Sequence, residues 1–227
     1  MSEHALVLDR VTKKYGDVVA VRELSLSIER GEMFGLIGPD GAGKTTTIRL
    51  MCGLLKVDAG TLRVLGRDPV KDHAHVTQSI GYLSQRSSLY GDLSVDENIA
   101  FFAEIHGLHM NDQTMKARRT RLLDLTQLAP FRDRLADQLS GGMKQKLALA
   151  CTLVHEPQVI LLDEPVNGSL SVHDGHGLPR VLAPDALGEI VLLSHLLPQR
   201  FVGSATPTSG VSPYLIIFHA SPKGQRL

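Results

Sequence analysis

The sequence predicts an α/β fold with a largely parallel central sheet, N-terminal antiparallel strands and an inserted helical subdomain. Three observations predict it. Strand-like and helix-like segments alternate through the first part of the chain. A glycine-rich loop separates an apolar strand from an amphipathic helix. Val159 to Leu162 are four apolar residues ending in carboxylates, the pattern of a buried parallel strand.

The elements follow in order. Ala5 to Leu8 is a short apolar strand. Leu24, Leu26 and Ile28 alternate with polar residues, as a half-buried strand would. Met33 to Ile37 is a continuous apolar run and reads as a fully buried strand. Ile48, Met51, Cys52 and Leu55 recur on one face of a helix. Leu62 and Val64 mark another strand, and Ser79 to Leu83 one more. From about Ser87 the pattern turns helical: Val95 to Ile105, Lys116 to Leu128 and Gly142 to His155, the last stopped by Pro157.

The 227 residues are 43% hydrophobic, enough for a sizeable core. Lysine plus arginine equals aspartate plus glutamate, 24 each, which gives no general electrostatic reason to bind nucleic acid or an anionic surface. The two cysteines, Cys52 and Cys151, fall in apolar helical stretches and read as buried thiols. Met1 to Leu8 lacks the apolar run of a signal peptide, and no stretch approaches the roughly 20 apolar residues of a membrane span. Any spans that serve this protein must then come from another chain.

Gly38-Pro39-Asp40-Gly41-Ala42-Gly43-Lys44-Thr45 fits the phosphate-loop pattern G-x-x-x-x-G-K-[ST], between a strand and a helix. The glycines let the backbone curl so that N–H groups point inward as an anion nest. The helix N-terminus adds its positive dipole end. Lys44 supplies a cation for the β- and γ-phosphates, and the Thr45 hydroxyl can ligate Mg²⁺. Thr46 completes the candidate nucleotide loop. Alone, this loop specifies a P-loop NTPase and no particular class of one.

Further downstream, Leu139-Ser140-Gly141-Gly142-Met143 resembles the signature sequence of ABC proteins, with Met143 where glutamine is usual. The same residues would also make an ordinary serine N-cap, so the segment alone supports either reading. Val159 to Pro165 resembles the Walker B strand of that family. The resemblance implies that Asp163 holds the Mg²⁺ shell and that Glu164 polarises the attacking water. Gln85 sits where the family carries a glutamine that touches Mg²⁺ and water and reports to the membrane subunit. Tyr15 matches the aromatic that stacks on adenine, or is a surface tyrosine beside a turn.

These features run in the family's order from Leu6 to about Gly168, and the chain resembles the ATP-binding subunits of ABC transporters. Gly38 to Gly107 is especially similar to ATPase subunits of drug and small-molecule exporters. The resemblance implies ATP and Mg²⁺ as cofactors and a separate transmembrane permease. It also implies a second ATP-binding subunit, as homodimer or heterodimer. Each site would take Ser140, Gly141, Gly142 and Met143 from the partner. The expected activity is ATP hydrolysis powering export, at the cytoplasmic face of the membrane. No nucleic acid is expected.

The chain departs from the family after about Gly168. Leu170 stands where an aspartate is usual, and residues 171–189 cannot easily form the expected amphipathic helix. Residues 169–227 hold six of the eleven prolines and seven of the 48 charged residues, an abrupt change of composition. We read 1–168 as the ATP-binding domain, with the helical subdomain at about 87–155. Residues 169–227 read as a divergent or frame-shifted segment. His195, 31 positions after Glu164, is either a retained catalytic switch histidine or a coincidence in a chain with ten histidines. Leu215 to Phe218 resembles a last apolar strand. The departures leave an alternative in which the subunit binds ATP but hydrolyses it poorly.

Other clusters have simpler readings. His173 and His176, His73 and His75, and His106 and His109 read as solvated histidines rather than metal ligands. The basic run Lys116, Arg118, Arg119 and Arg121 reads as a solvated helix face.

Overall fold

A computed structural model describes residues 4–30, 33–37, 41–84, 89–109, 113–163 and 215–220. These fall into two compact units. One is drawn from within Met1–Tyr82, Gln158–Pro165 and Phe201–Leu227, the other from within Leu83–Pro157 and Val166–Arg200.

The first unit opens with a long hairpin. Strand β1 (His4–Tyr15) pairs antiparallel with β2 (Val18–Glu29) across the tight turn Gly16-Asp17, where Gly16 has φ 55°. β4 (Ala59–Val64) pairs antiparallel on the other side of β1. Leu6 faces Ile28 on one side and Val64 on the other, and Leu8 likewise faces Leu26 and Leu62. These cross-strand neighbours form one apolar face. The expected antiparallel N-terminal strands are therefore present, and longer than their apolar cores suggest. Alternation stops being legible where β1 is irregular, between Leu8 and Val11 and again before Lys13.

The second sheet of this unit has the order β3-β7-β6-β5, from β3 (Met33–Ile37), β7 (Leu215–Ala220), β6 (Val159–Leu162) and β5 (Ile80–Leu83). β7 pairs in parallel with both β3 and β6, Ile217 lying between Phe34 and Leu161. The last apolar segment thus supplies an interior strand. All four residues of β6 are buried, as its unbroken apolar run requires. Between the sheets' strands run two helices, α1 (Lys44–Met51) and α2 (His73–Ser79). α1 ends at Met51 with Cys52 as its cap, short of Leu55. α2 buries only Val76, too few apolar residues to betray a helical period. Ser79 therefore closes a helix, and the strand begins at Ile80. The core gathers Leu6, Ile28, Ile48, Leu50 and Met51, all fully buried, with Val159 and Leu161 of β6.

The second unit is helical among its described residues. α3 (Val95–Ile105) has the bounds its pattern predicts. It opens with a reciprocal cap: Ser94 Oγ accepts from the Glu97 N–H at 3.2 Å, and the Ser94 N–H donates to the Glu97 carboxylate at 2.7 Å. That hydrogen bond holds the Glu97 carboxyl below its usual pKa. Asn98 is fully buried, and its amide closes the preceding loop through the carbonyls of Tyr90, Leu93 and Ser94. α4 (Gln113–Thr126) begins three residues before the expected start, and α5 is Gly141–Leu153. Arg118 donates to the Val154 carbonyl at 3.0 Å and pairs with Glu156 at 2.7 Å, so it neutralises the C-terminal end of α5. Arg119 and Arg132 both pair with Asp96. Two members of the basic run are thus spent on ties within the unit.

Candidate functional site

The N-terminus of α1 is built around a glycine that the fold requires. Gly43 has φ 85°, and a Cβ there would lie 2.1 Å from the Ala20 carbonyl oxygen of β2. Both facts exclude any larger residue. Gly41 shares the left-handed backbone, φ 80°, with open space around it. α1 has no side-chain cap hydrogen bond at its start. The Gly43 carbonyl accepts from both the Thr47 N–H at 2.8 Å and the Thr47 hydroxyl at 2.9 Å. Lys44 is buried at 5% exposure, while Thr45 and Thr46 are half-buried. Of the expected loop, Gly38, Pro39 and Asp40 lie outside the described residues, and Gly41 to Thr46 within them.

The end of β6 meets this helix. The Thr45 hydroxyl donates to Asp163 Oδ1 at 2.9 Å, across 118 positions of sequence. The Tyr82 hydroxyl donates to Asp163 Oδ2 at 3.3 Å. Asp163 is 3% exposed, so its two oxygens are aimed by neighbours on α1 and β5. Burial and the Asp163 charge raise the Tyr82 phenol above its ordinary pKa, opposed by a hydrogen bond from Arg49. Cys52 is buried nearby, and burial first, then the Asp163 charge, pushes its thiol up to about 12. Cys151 is raised likewise by burial. Neither thiol is a nucleophile.

The oxygen donors present suit Mg²⁺. Mg²⁺ takes one or two protein oxygens and completes its shell with phosphate and water. A threonine hydroxyl that gives its proton to a carboxylate keeps its lone pairs available to a cation. Thr45 and Asp163 are such a pair.

Tyr15 ends β1 and is 47% exposed, with Lys13 Nζ 5.7 Å from its ring centroid. Its ring is therefore available to a planar ligand. In the second unit Ser140 caps α5: its hydroxyl accepts from the Met143 N–H at 3.3 Å. The serine N-cap anticipated as one reading is present. It accounts for Ser140 and leaves Gly141 unaccounted for, because a Cβ at Gly141 would meet nothing within 4 Å. Gly142 and Met143 form the first turn, half-buried. Gln85, Glu164 and His195 lie outside the described residues, as do His173 and His176. Among the described residues no group of three His, Cys, Asp or Glu side chains is placed to hold a metal. His106 stacks on His155, centroids 3.6 Å apart and planes 7° from parallel. No described helix is long and apolar enough to cross a membrane.

Tyr82 was not found from the sequence. No motif marks it. Its place beside Asp163 follows from the neighbouring of β5 and β6 in the sheet, which sequence spacing does not reveal.

Comparison with known proteins agrees with this geometry. Residues 21–167 match a family model described as ABC transporter. The chain is 46% identical over 167 residues to the probable multidrug ABC transporter ATP-binding protein YbhF of Escherichia coli (strain K12), covering 73% of this chain and 28% of that protein. It is 42% identical over 195 residues to the Nod factor export ATP-binding protein I of Sinorhizobium fredii, covering 85% of this chain and 56% of that protein. The chain thus spans from about a quarter to about half the length of these relatives. Among solved structures, cbiO1 from Clostridium perfringens, described as part of the ABC transporter complex cbiONQ, superposes with a TM-score of 0.65. That match has 27% identity and covers 72% of this chain and 66% of that one.

Proposed function

The chain belongs to the ABC transporter family, and on that premise we propose that it is an ATP-binding subunit that hydrolyses ATP to drive export of a small molecule. The observation that carries this is the Thr45–Asp163 hydrogen bond, which joins the phosphate loop to the end of β6. It unites the two halves of a triphosphate and cation site that lie 118 positions apart.

The roles follow from the chemistry. The N–H groups at the start of α1, from the loop Gly38 to Thr46, bind the phosphates, and Lys44 adds its charge. Thr45 and Asp163 hold Mg²⁺ together with Gln85. When bound, the cation neutralises charge developing on the transferred phosphoryl group. Glu164 orients the attacking water, and His195 is the second catalytic group. Tyr15 stacks on adenine. Ser140 to Met143 reach the nucleotide of a second copy or a paralogous subunit. A separate permease supplies the membrane spans and holds this subunit at the cytoplasmic face.

The domain division proposed is an ATP-binding domain at 1–168 containing a helical subdomain at about 87–155, then a divergent segment at 169–227. The 85% of this chain matched by the Nod factor export protein runs beyond the first 168 residues, which favours divergence over a frame shift. Translating the coding DNA in its other two frames tests this. A frame that restores an aspartate at the place of Leu170 and a long helix would overturn it.

A second reading, ATP binding with poor turnover, is favoured by Leu170 at the usual aspartate position. A steady-state ATPase assay with Glu164→Gln as control separates the two. The active reading expects a loss of about a hundred-fold or more in kcat in that variant. Equal rates in the two proteins would sink it.

A further inference from the structure

We propose that Tyr82 is a positioning residue for the Asp163 carboxylate. The proposal rests on Asp163 as a cation-holding residue. Tyr82 lies in β5, and its hydroxyl donates to Asp163 Oδ2 at 3.3 Å. Thr45 donates to the other carboxylate oxygen at 2.9 Å.

The carboxylate is thereby held at both oxygens, from two elements. The phenol adds a hold on the second oxygen and so favours one orientation of the carboxylate plane. The arrangement also links three pieces of backbone at one atom group: the phosphate-loop helix, the end of β6, and β5, which leads within three residues to Gln85. The phenol contact is longer than a usual O–H···O bond. Its effect belongs at the low end of the 10–100-fold that outer partners of metal ligands contribute to affinity.

The test uses the full chain with ATP and Mn²⁺ in place of Mg²⁺, free Mn²⁺ being read by electron paramagnetic resonance. Metal-free ATP binding is measured alongside. Tyr82→Phe is expected to weaken Mn²⁺ binding in the presence of ATP by about ten-fold, with metal-free ATP binding unchanged. Asp163→Asn is the control for the underlying reading and should lose Mn²⁺ binding. If Tyr82→Phe titrates like the parent while Asp163→Asn has lost the metal, the positioning role is wrong. If Asp163→Asn also binds like the parent, the reading of Asp163 fails and takes the proposal with it. Should Tyr82→Phe lose its cooperative thermal unfolding, Tyr82→Leu decides, and unchanged Mn²⁺ affinity there overturns the proposal.

Discussion

Glycines stand at the N-termini of α1 and α5, Gly43 as the cap of one and Gly141 as the first residue of the other, and they are there for different reasons. Gly43, at the start of α1, is left-handed and pressed against the Ala20 carbonyl, where a Cβ would stand 2.1 Å away. Gly141, at the start of α5, has no left-handed backbone and nothing within 4 Å of its missing Cβ. α1 has no side-chain cap, whereas α5 is capped by Ser140. The first glycine is demanded by the chain's own packing. The second is demanded by nothing among the described residues, which fits a surface that another molecule approaches.

The sharpest break of that comparison is a pair of alanine substitutions. Gly43→Ala should cost about 3 kcal/mol or more of folding stability, from backbone strain and the clash with β2. Urea unfolding reads this directly, and ATP binding should be lost with it. Gly141→Ala should leave stability unchanged or slightly raised, because alanine is the better helix residue. Its ATPase rate should still fall by about ten-fold or more, which is about 1.4 kcal/mol of barrier. A Gly141→Ala protein with parental turnover would remove the reason for a second nucleotide contact at α5.

A smaller effect probes the cap. Ser140→Ala removes the acceptor of the Met143 N–H and should lower stability by about 1 kcal/mol. A loss of turnover beyond that drop, measured well below the unfolding midpoint, would separate a nucleotide contact from a helix cap.

The smallest expected effect lies at the far end of α5, where His155 stacks on His106. Burial holds the His106 ring below its ordinary pKa. The unfolded chain therefore takes up a proton at higher pH than the folded one. The stability this site contributes is full above the ordinary value of about 6.5 and is lost as pH falls through the folded value. The unfolding midpoint should decline between about pH 7 and pH 5, and His106→Gln should flatten that decline. A midpoint equally steep in the variant would assign the pH dependence to other groups.

Much of the site was legible because its chemistry is local. Gly38 to Thr45 declare a phosphate loop by spacing, and the apolar run Val159 to Leu162 declares a strand that ends in an acid. α3 was legible to the residue because Val95, Ile99 and Ala103 recur at helical period and Pro-free sequence surrounds them. The reciprocal cap Ser94-x-x-Glu97 is equally readable as a sequence pattern. α2 was not, since one buried valine makes no period.

By itself, then, the sequence determined the phosphate loop, the carboxylate strand, the signature glycines and the family they resemble. Each of these is a run of adjacent residues whose conformational and chemical demands are met within a few positions. Only the tertiary structure decided that Thr45 meets Asp163, that Tyr82 stands behind that carboxylate, and that Ala20 forbids a side chain at Gly43. It also put the distant segment Leu215–Ala220 between β3 and β6. The reason is physical: parallel strands are joined by crossovers, so neighbours in the sheet are far apart in sequence. Which residue faces which is then set by strand order rather than by spacing.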